Sequence, residues 1–198
     1  MSRRVLVIHA HPEPTSFCGA LRDLVVRVCD ERGSEVRQHD LYESGFSPVM
    51  SPNEWTLRAA SPDEKPHLAS HYADVEWCDT LVFVYPTWWS GQPAIMKGWI
   101  DRVLANGVAW NIDQESGHVM PGLRNVTRII AVTTHGRSRT VNFFCGRGGR
   151  AIIVRCVRRL CSWRCRVKWL ALHSLDGSTR FERDRFMQRV ERVMRRTV

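Results

Sequence analysis

The chain has 198 residues, 43% of them hydrophobic and 25% charged, with a net charge of +9. That length suits a single domain, residues 1–198, able to bury over half its surface without disulfides. The composition excludes a disordered tail or a collagen-like fibre, and no run of ~18 apolar residues occurs that would form a membrane-spanning helix.

Residues 5–8, Val-Leu-Val-Ile, form a short apolar run expected of a strand buried on both faces. The run is too short for the core of a secretory signal, so the expectation is a cytoplasmic protein. A turn-rich stretch over residues 11–16 leads to Leu21, Leu24, Val25 and Val28 at helical spacing, with Gly33 as the stop. Residues 34–41 read as a second, weaker strand. Residues 42–66 carry Pro48, Pro52, Pro62 and Pro66 without a period and read as a long loop. A helix is expected over residues 67–77 and a third strand over 80–85. Pro93 suits the first turn of a helix that ends before Asn106-Gly107. An irregular stretch precedes a fourth strand over residues 127–132, helical spacing over 148–161 and a fifth strand over 166–172. Thr179-Arg-Phe-Glu182 is a capping box opening a last helix that turns Phe186, Val190, Val193 and Met194 inward.

Five alternations of strand and helix predict an α/β fold: a doubly wound, five-stranded parallel sheet of flavodoxin-like order 2-1-3-4-5, with helices on both faces. In such sheets ligands bind beyond the carboxyl ends of the strands, at the switch point between strands 1 and 3. The rule selects three loops, residues 9–20, 85–93 and 133–142.

The first loop lacks the glycine fingerprints of dinucleotide and nucleoside-triphosphate sites. It offers Thr15, Ser16 and free backbone N–H groups at a helix start, which either hold a phosphate or simply cap the helix. His11 would add a donor. In the second loop two adjacent tryptophans, Trp88 and Trp89, stand in a polar turn. One is expected to cover the core and the other to meet a flat aromatic ligand. In the third loop Thr133, Thr134 and Gly136 permit close approach to a ligand edge, while His135 is either solvated or a proton donor.

Seven cysteines without an export signal read as free thiols in a reducing compartment. Cys161 and Cys165 have no second ligand pair, so no metal is expected. Residues 137–198 hold seventeen Lys/Arg against four Asp/Glu, a balance of +13, whereas residues 1–136 sum to −4. Most of those arginines read as a solvated face, Arg155, Arg158 and Arg159 among them. One residue among Arg137, Arg139 and Arg147, the arginines nearest the third loop, is expected to assist an anionic cofactor. No nucleic-acid module is present, so no nucleic-acid partner is expected.

The segments Val5-Leu-Val-Ile-His-Ala-His11-Pro-Glu-Pro14-x-Ser16-Phe17-x-Gly19-x-Leu21 and Pro86-x-x-Trp89-x-x-x-Pro93-Ala94-x-x-Lys97-Gly98-Trp99-x-Asp101-Arg102-Val103 resemble the two signatures of the NAD(P)H:quinone oxidoreductase (DT-diaphorase) family. Thr133-Thr134 and the glycine turn after it resemble a third, and the likeness runs over residues 4–136. The resemblance implies a bound flavin, FAD or else FMN, and a homodimer with the active site between subunits. It also implies ping-pong hydride transfer from NADPH or NADH to a quinone-like acceptor. By position it implies His11, Thr15, Ser16, Phe17, Cys18 and Ala20 on the flavin phosphate side. Pro86, Thr87, Trp88 and Trp89 would line the ring, with Thr133, Thr134, His135 and Gly136 at its polar edge. Cys18 stands where better-known members carry Asn. The tyrosine and histidine that assist their hydride transfer have no counterpart, with Val141 and Arg147 near their spacing, so no catalytic side chain is assigned. The other reading is a flavodoxin-type electron carrier or regulatory flavoprotein, although carriers of that type are expected to be acidic.

Overall fold

The computed structural model describes residues 2–57 and 65–198. The strands among them are β1 (Arg4–His9), β2 (Glu35–Asp40), β3 (Thr80–Thr87), β4 (Trp110–Ile112), β5 (Val119–Pro121), β6 (Arg128–His135) and β7 (Arg166–Leu172). Five of them form one sheet of order β2-β1-β3-β6-β7, with every neighbouring pair parallel. Leaving aside the β4–β5 hairpin, this is the expected 2-1-3-4-5 order.

The central strands are apolar on both faces because both faces are covered. Leu6, Ile8, Leu81, Phe83, Ile129 and Ala131 point into one layer, where they meet α3 (Ala69–Trp77), α4 (Ala94–Val103) and the stretch over residues 153–165. Val5, Val7, Val82, Val84, Ile130 and Val132 point into the other, against α1 (Phe17–Glu31) and α7 (Arg180–Arg195). Leu21, Leu24, Val25 and Val28 form the inner stripe of α1, and Gly33 closes it with a φ of 70° that only glycine adopts freely. The capping box at Thr179 and Glu182 opens α7 as the sequence predicts. Cys18, Cys29, Cys78, Cys161 and Cys165 are buried free thiols, and Cys145 and Cys156 are exposed.

Several expectations need correction. The stretch 42–66 is not all loop: α2 (Pro52–Thr56) starts with a capping box between Ser51 and Glu54, and Pro62 lies outside the described residues. The irregular stretch after α4 contains the β4–β5 hairpin. Helix α5 (Arg139–Phe144), too short to show a period, was not foreseen. The helical spacing from residue 148 is α6 (Gly148–Ala151) continued by wider π-type turns over Ile152–Val157. Strands β3 and β6 also run past their apolar cores. Their register continues through Tyr85↔Thr133, Pro86↔Thr134 and Thr87↔His135, so these polar residues belong to strands rather than loops.

A buried ion pair fastens the segment before α3 to α4. Arg102 lies 2.8 Å from Glu54, also donates to the Ser47 carbonyl, and is 6% exposed. Burial alone would push the Glu54 carboxyl up, but the Ser51 N–H, Arg102 and His67 outweigh it and hold it at about 2. One turn earlier, a Cβ on Gly98 would stand 2.4 Å from the Pro48 Cα, so the backbone of that segment lies directly on the helix. Gly98 and Arg102 of the second signature therefore position chain rather than ligand. Arg102→Ala leaves a buried carboxylate without its guanidinium, with only the Ser51 N–H and the half-exposed His67 for partners among the described residues, and is expected to cost about 3–5 kcal/mol in urea unfolding. A loss under about 1 kcal/mol would mean that the pair is effectively solvated.

Candidate functional site

The carboxyl ends of β1, β3 and β6 open into a cavity of about 880 Å³. One wall is the start of α1. Ser16 is its N-cap, and its Oγ accepts from the Gly19 N–H at 3.1 Å. The Phe17 and Cys18 N–H groups of this 15-residue helix have no partner among the described residues. These orphan donors, at the positive end of the helix dipole, make the corner an anion cradle. Gly19 is required here, because a Cβ would stand 2.1 Å from the Pro14 carbonyl oxygen that lies over the first turn. Burial pushes the Cys18 thiol up to about 12, against a weaker opposing effect of its bond with Thr134. It is a neutral wall residue, linking the first and third segments of the site.

The opposite wall is a tight hairpin. Trp88 and Gly91 exchange backbone hydrogen bonds of 3.1 and 2.9 Å, and the two residues between them, Trp89 and Ser90, both have positive φ, 48° and 61°. Two positive φ angles are the mark of the type I′ turn, which usually takes Gly or Asn, so this turn holds strain of order 1–3 kcal/mol per residue. Its fixing contacts come from α6: the Gly149 N–H donates to the Ser90 carbonyl at 2.7 Å, and Gln92 Nε2 donates to the Gly149 carbonyl at 2.7 Å. The turn presents Trp88 at 42% exposure and Trp89 fully exposed. Neither tryptophan covers the core, which corrects the expectation that one would.

The floor is polar. Thr87 Oγ1 lies 2.8 Å from Thr133 Oγ1 and 3.3 Å from His135 Nε2. His135 is 4% exposed and stacks on His173 at 4.4 Å between ring centroids. Burial, with some help from His173, lowers the His135 pKa to about 4, so the imidazole is neutral at neutral pH.

Of the residues singled out in the sequence, His11, Ser16, Phe17, Cys18, Pro86, Thr87, Trp88, Trp89, Thr134, His135 and Gly136 line this cavity. Thr15, Ala20 and Thr133 do not. The Thr15 hydroxyl is turned to the Glu13 carboxylate at 2.8 Å, Ala20 lies beyond the first turn of α1, and Thr133 is fully buried beneath Thr87. Ser90, Asn142, Cys145, Leu175 and Asp176 line the cavity without having been picked out. The last two follow β7, whose carboxyl end the same topological rule could have included. Arg137 lines the cavity as well, whereas Arg139 and Arg147 line a smaller pocket beside it.

The sequence model of the flavodoxin-like fold family matches residues 3–196. The chain belongs to that family. It is similar to the mouse ribosyldihydronicotinamide dehydrogenase [quinone], 32% identical over 152 aligned positions, with 68% of this chain and 64% of the relative covered. It is also similar to the Escherichia coli protein named uncharacterized NAD(P)H oxidoreductase YcaK, 35% identical over 127 residues, 61% of this chain and 60% of that one. The chain thus spans less than two thirds of the length of these curated relatives. Among solved structures, Smu.1420 from Streptococcus mutans superposes with a TM-score of 0.83 at 27% identity, covering 97% of this chain and 98% of its own. The NAD(P)H:quinone oxidoreductase from Methanothermobacter marburgensis has the same fold, with a TM-score of 0.79 at 21% identity, over 98% and 96% of the two chains. In this flavodoxin-like frame the cavity lies where the topological switch point predicts, and no helix among the described residues is long and apolar enough to cross a membrane.

The low pKa of His135 has a consequence for stability. An unfolded histidine takes up its proton near 6.5, and the folded one near 4. The unfolded state therefore binds more protons in that window, and stability, complete above 6.5, falls as the pH drops toward 4. His9, His39 and His71, all lowered first by burial, add to the same slope. His135→Gln is expected to make the fall in urea midpoint across this range shallower by as much as one proton. An unchanged slope would mean that His135 protonates freely in the folded protein.

Proposed function

We propose that the chain is a flavin-dependent NAD(P)H oxidoreductase that reduces quinone-like acceptors. The observation that carries this reading is the cavity itself, with an anion cradle at the start of α1, a raised aromatic turn opposite and a polar floor between them. The unpaired Phe17 and Cys18 donors and the Ser16 hydroxyl fit a flavin phosphate. Pro86, Thr87 and Trp88 fit one side of a flat ring system, and Thr134, His135 and Gly136 its polar edge. Names of similar proteins support the same reading: the relatives include dehydrogenases named for quinone.

When bound, the flavin would supply two-electron chemistry, accepting hydride from NAD(P)H and passing it to the acceptor in a ping-pong sequence. The protein's part is orientation and electrostatics. The α1 terminus fixes the phosphate. The hydrogen-bonded floor of Thr87, Thr133 and His135 sets the ring edge, and the neutral imidazole, pointed at Thr87, places no positive charge beneath it. Trp88 and Phe17 exclude water from the ring sides. The charge of +9 favours an enzyme over a one-electron carrier of the flavodoxin type, for which an acidic protein is expected.

The purified protein is expected to show flavin absorbance that bleaches on anaerobic addition of NADPH, and the mass of the released group decides between FAD and FMN. Ser16→Ala is expected to weaken flavin retention by roughly 1–3 kcal/mol, the scale of charge-assisted hydrogen bonds. Thr15→Ala, whose hydroxyl serves Glu13, leaves retention unchanged. A colourless protein that takes up no added flavin would falsify the proposal.

The reading includes a homodimer. Trp88, Trp89, Val141, Phe143 and Phe144, each at least 42% exposed, stand on the turn and on α5 around the cavity mouth. Exposed apolar groups gathered at one rim are the kind of surface a second copy covers. Sedimentation at micromolar concentration is expected to give a dimer, and Trp89→Ser with Phe144→Ser to shift it toward monomer. A fully active wild-type monomer would sink this part of the reading.

A further inference from the structure

Beside the main cavity lies a second, smaller one of about 180 Å³. Arg139 of α5, Arg147 and Arg150 at the start of α6, and Arg189 of α7 line it, together with Trp169 and His173. No carboxylate lines it. Among the described residues none of the four guanidiniums has an ion-pair partner, although elsewhere on α7 Arg180 pairs with Asp184 and Arg195 with Glu31 and Glu191. Arg147 is held over the Phe143 ring at 4.6 Å. Four positive charges without carboxylate partners among the described residues are brought together from three helices, and a multivalent anion would offset their mutual repulsion.

The backbone adds donors. β7 is the last strand of the sheet and pairs only with β6. The Arg166 N–H bonds to the Thr127 carbonyl, on the β6 side. Backbone direction alternates along a strand, so the N–H groups of Trp169 and Ala171 turn to the free edge, where the pocket lies. His173 Nδ1 is buried there without a partner. The space suits one tetrahedral anion with its waters and is too small for a nucleotide.

The pocket is not isolated. Asn142 lines both cavities, and the stacked rings of His135 and His173 separate them, one facing each. An anion in the small pocket can therefore belong to a ligand whose remainder lies in the large one.

We propose that Arg139, Arg147, Arg150 and Arg189 form a binding site for a phosphomonoester at the free edge of β7. A phosphomonoester carries nearly two charges and presents three oxygens, which match several planar guanidinium forks better than a carboxylate or a phosphodiester does. Two sources share this chemistry. One is the 2′-phosphate of an NADP-type donor seated in the main cavity, a source that rests on the function proposed above. The other is a separate phosphorylated small molecule, which does not.

The test begins with inorganic phosphate, titrated into the purified protein and followed by calorimetry and by the fluorescence of Trp169, with chloride at equal ionic strength as the control. Binding is expected, and Arg150→Gln and Arg189→Gln are each expected to weaken it about tenfold or more. Arg155→Gln, outside the pocket, leaves it unchanged, and thermal melts confirm that all variants are folded. No phosphate binding to wild type, or equal binding in all three variants, overturns the proposal whether or not the protein holds a flavin. KM values for NADPH and NADH then separate the sources. A rise of about tenfold for NADPH alone in Arg189→Gln assigns the site to the donor's 2′-phosphate. Weakened phosphate binding with both KM values unchanged, or in a protein without NADPH activity, assigns it to a separate phosphorylated ligand.

Discussion

The parallel pairing of β1, β3 and β6 is the constraint on which the rest of the molecule depends. Side chains of all three strands are buried on both faces, so neither face can be left to solvent, and helices must cover both. Parallel neighbours require crossovers, and crossovers to opposite faces diverge where the strand order reverses. The space left at that divergence is the cavity. Its floor exists because the β3–β6 register continues to Thr87↔His135, three pairs beyond Val84↔Val132.

Charge is treated differently on the two sides of this sheet. Near α4 a carboxylate is kept ionised in the interior by a guanidinium, and the pair fixes a segment that has little regular structure of its own. In the cavity, by contrast, two of the titratable groups packed against the strand ends, the His135 imidazole and the Cys18 thiol, are held neutral chiefly by burial. Around these two groups the polarity comes from hydroxyls, backbone N–H groups and a helix end. Such dipoles do not reorganise with pH over the neutral range, which suits the recognition of a cofactor whose own charge changes during turnover.

Strain is gathered around the same place. Trp89, Ser90 and Arg147 are three of the four described non-glycine residues with positive φ. The first two form the raised turn, and the third starts the helix that ties that turn down through Gly149. Two unfavourable backbone segments thus brace each other, and the brace stands between the aromatic rim and the arginine pocket. The bland reading of the arginine-rich third as a solvated face holds for Arg155 and Arg159, which are exposed. Arg139, Arg150 and Arg189 are exposed as well and Arg147 is half-buried, but these four line one concavity at the sheet edge, which a plain solvated face would not form.

The sequence by itself determined the strand order, the covered faces and the three segments that meet at the cavity. Buried strands and amphipathic helices carry hydrophobic periods that survive in one dimension, and the topological rule converts their order into a location. Thr179 as the cap of α7 was legible for a local reason, since a cap is set by residues within one turn. What stayed illegible depends on how the folded chain arranges its groups. Thr133 to His135 look like a loop until β3 supplies their hydrogen bonds, and the three-residue strands β4 and β5 are too short to show a period. Thr15 and Ser16 are equivalent in sequence, and only the position of the Glu13 carboxylate separates them. The arginine pocket draws on residues 139 to 189 from both layers, and no spacing rule relates them. Tertiary structure alone decided it, because a guanidinium's surroundings are set by what the folded chain packs beside it.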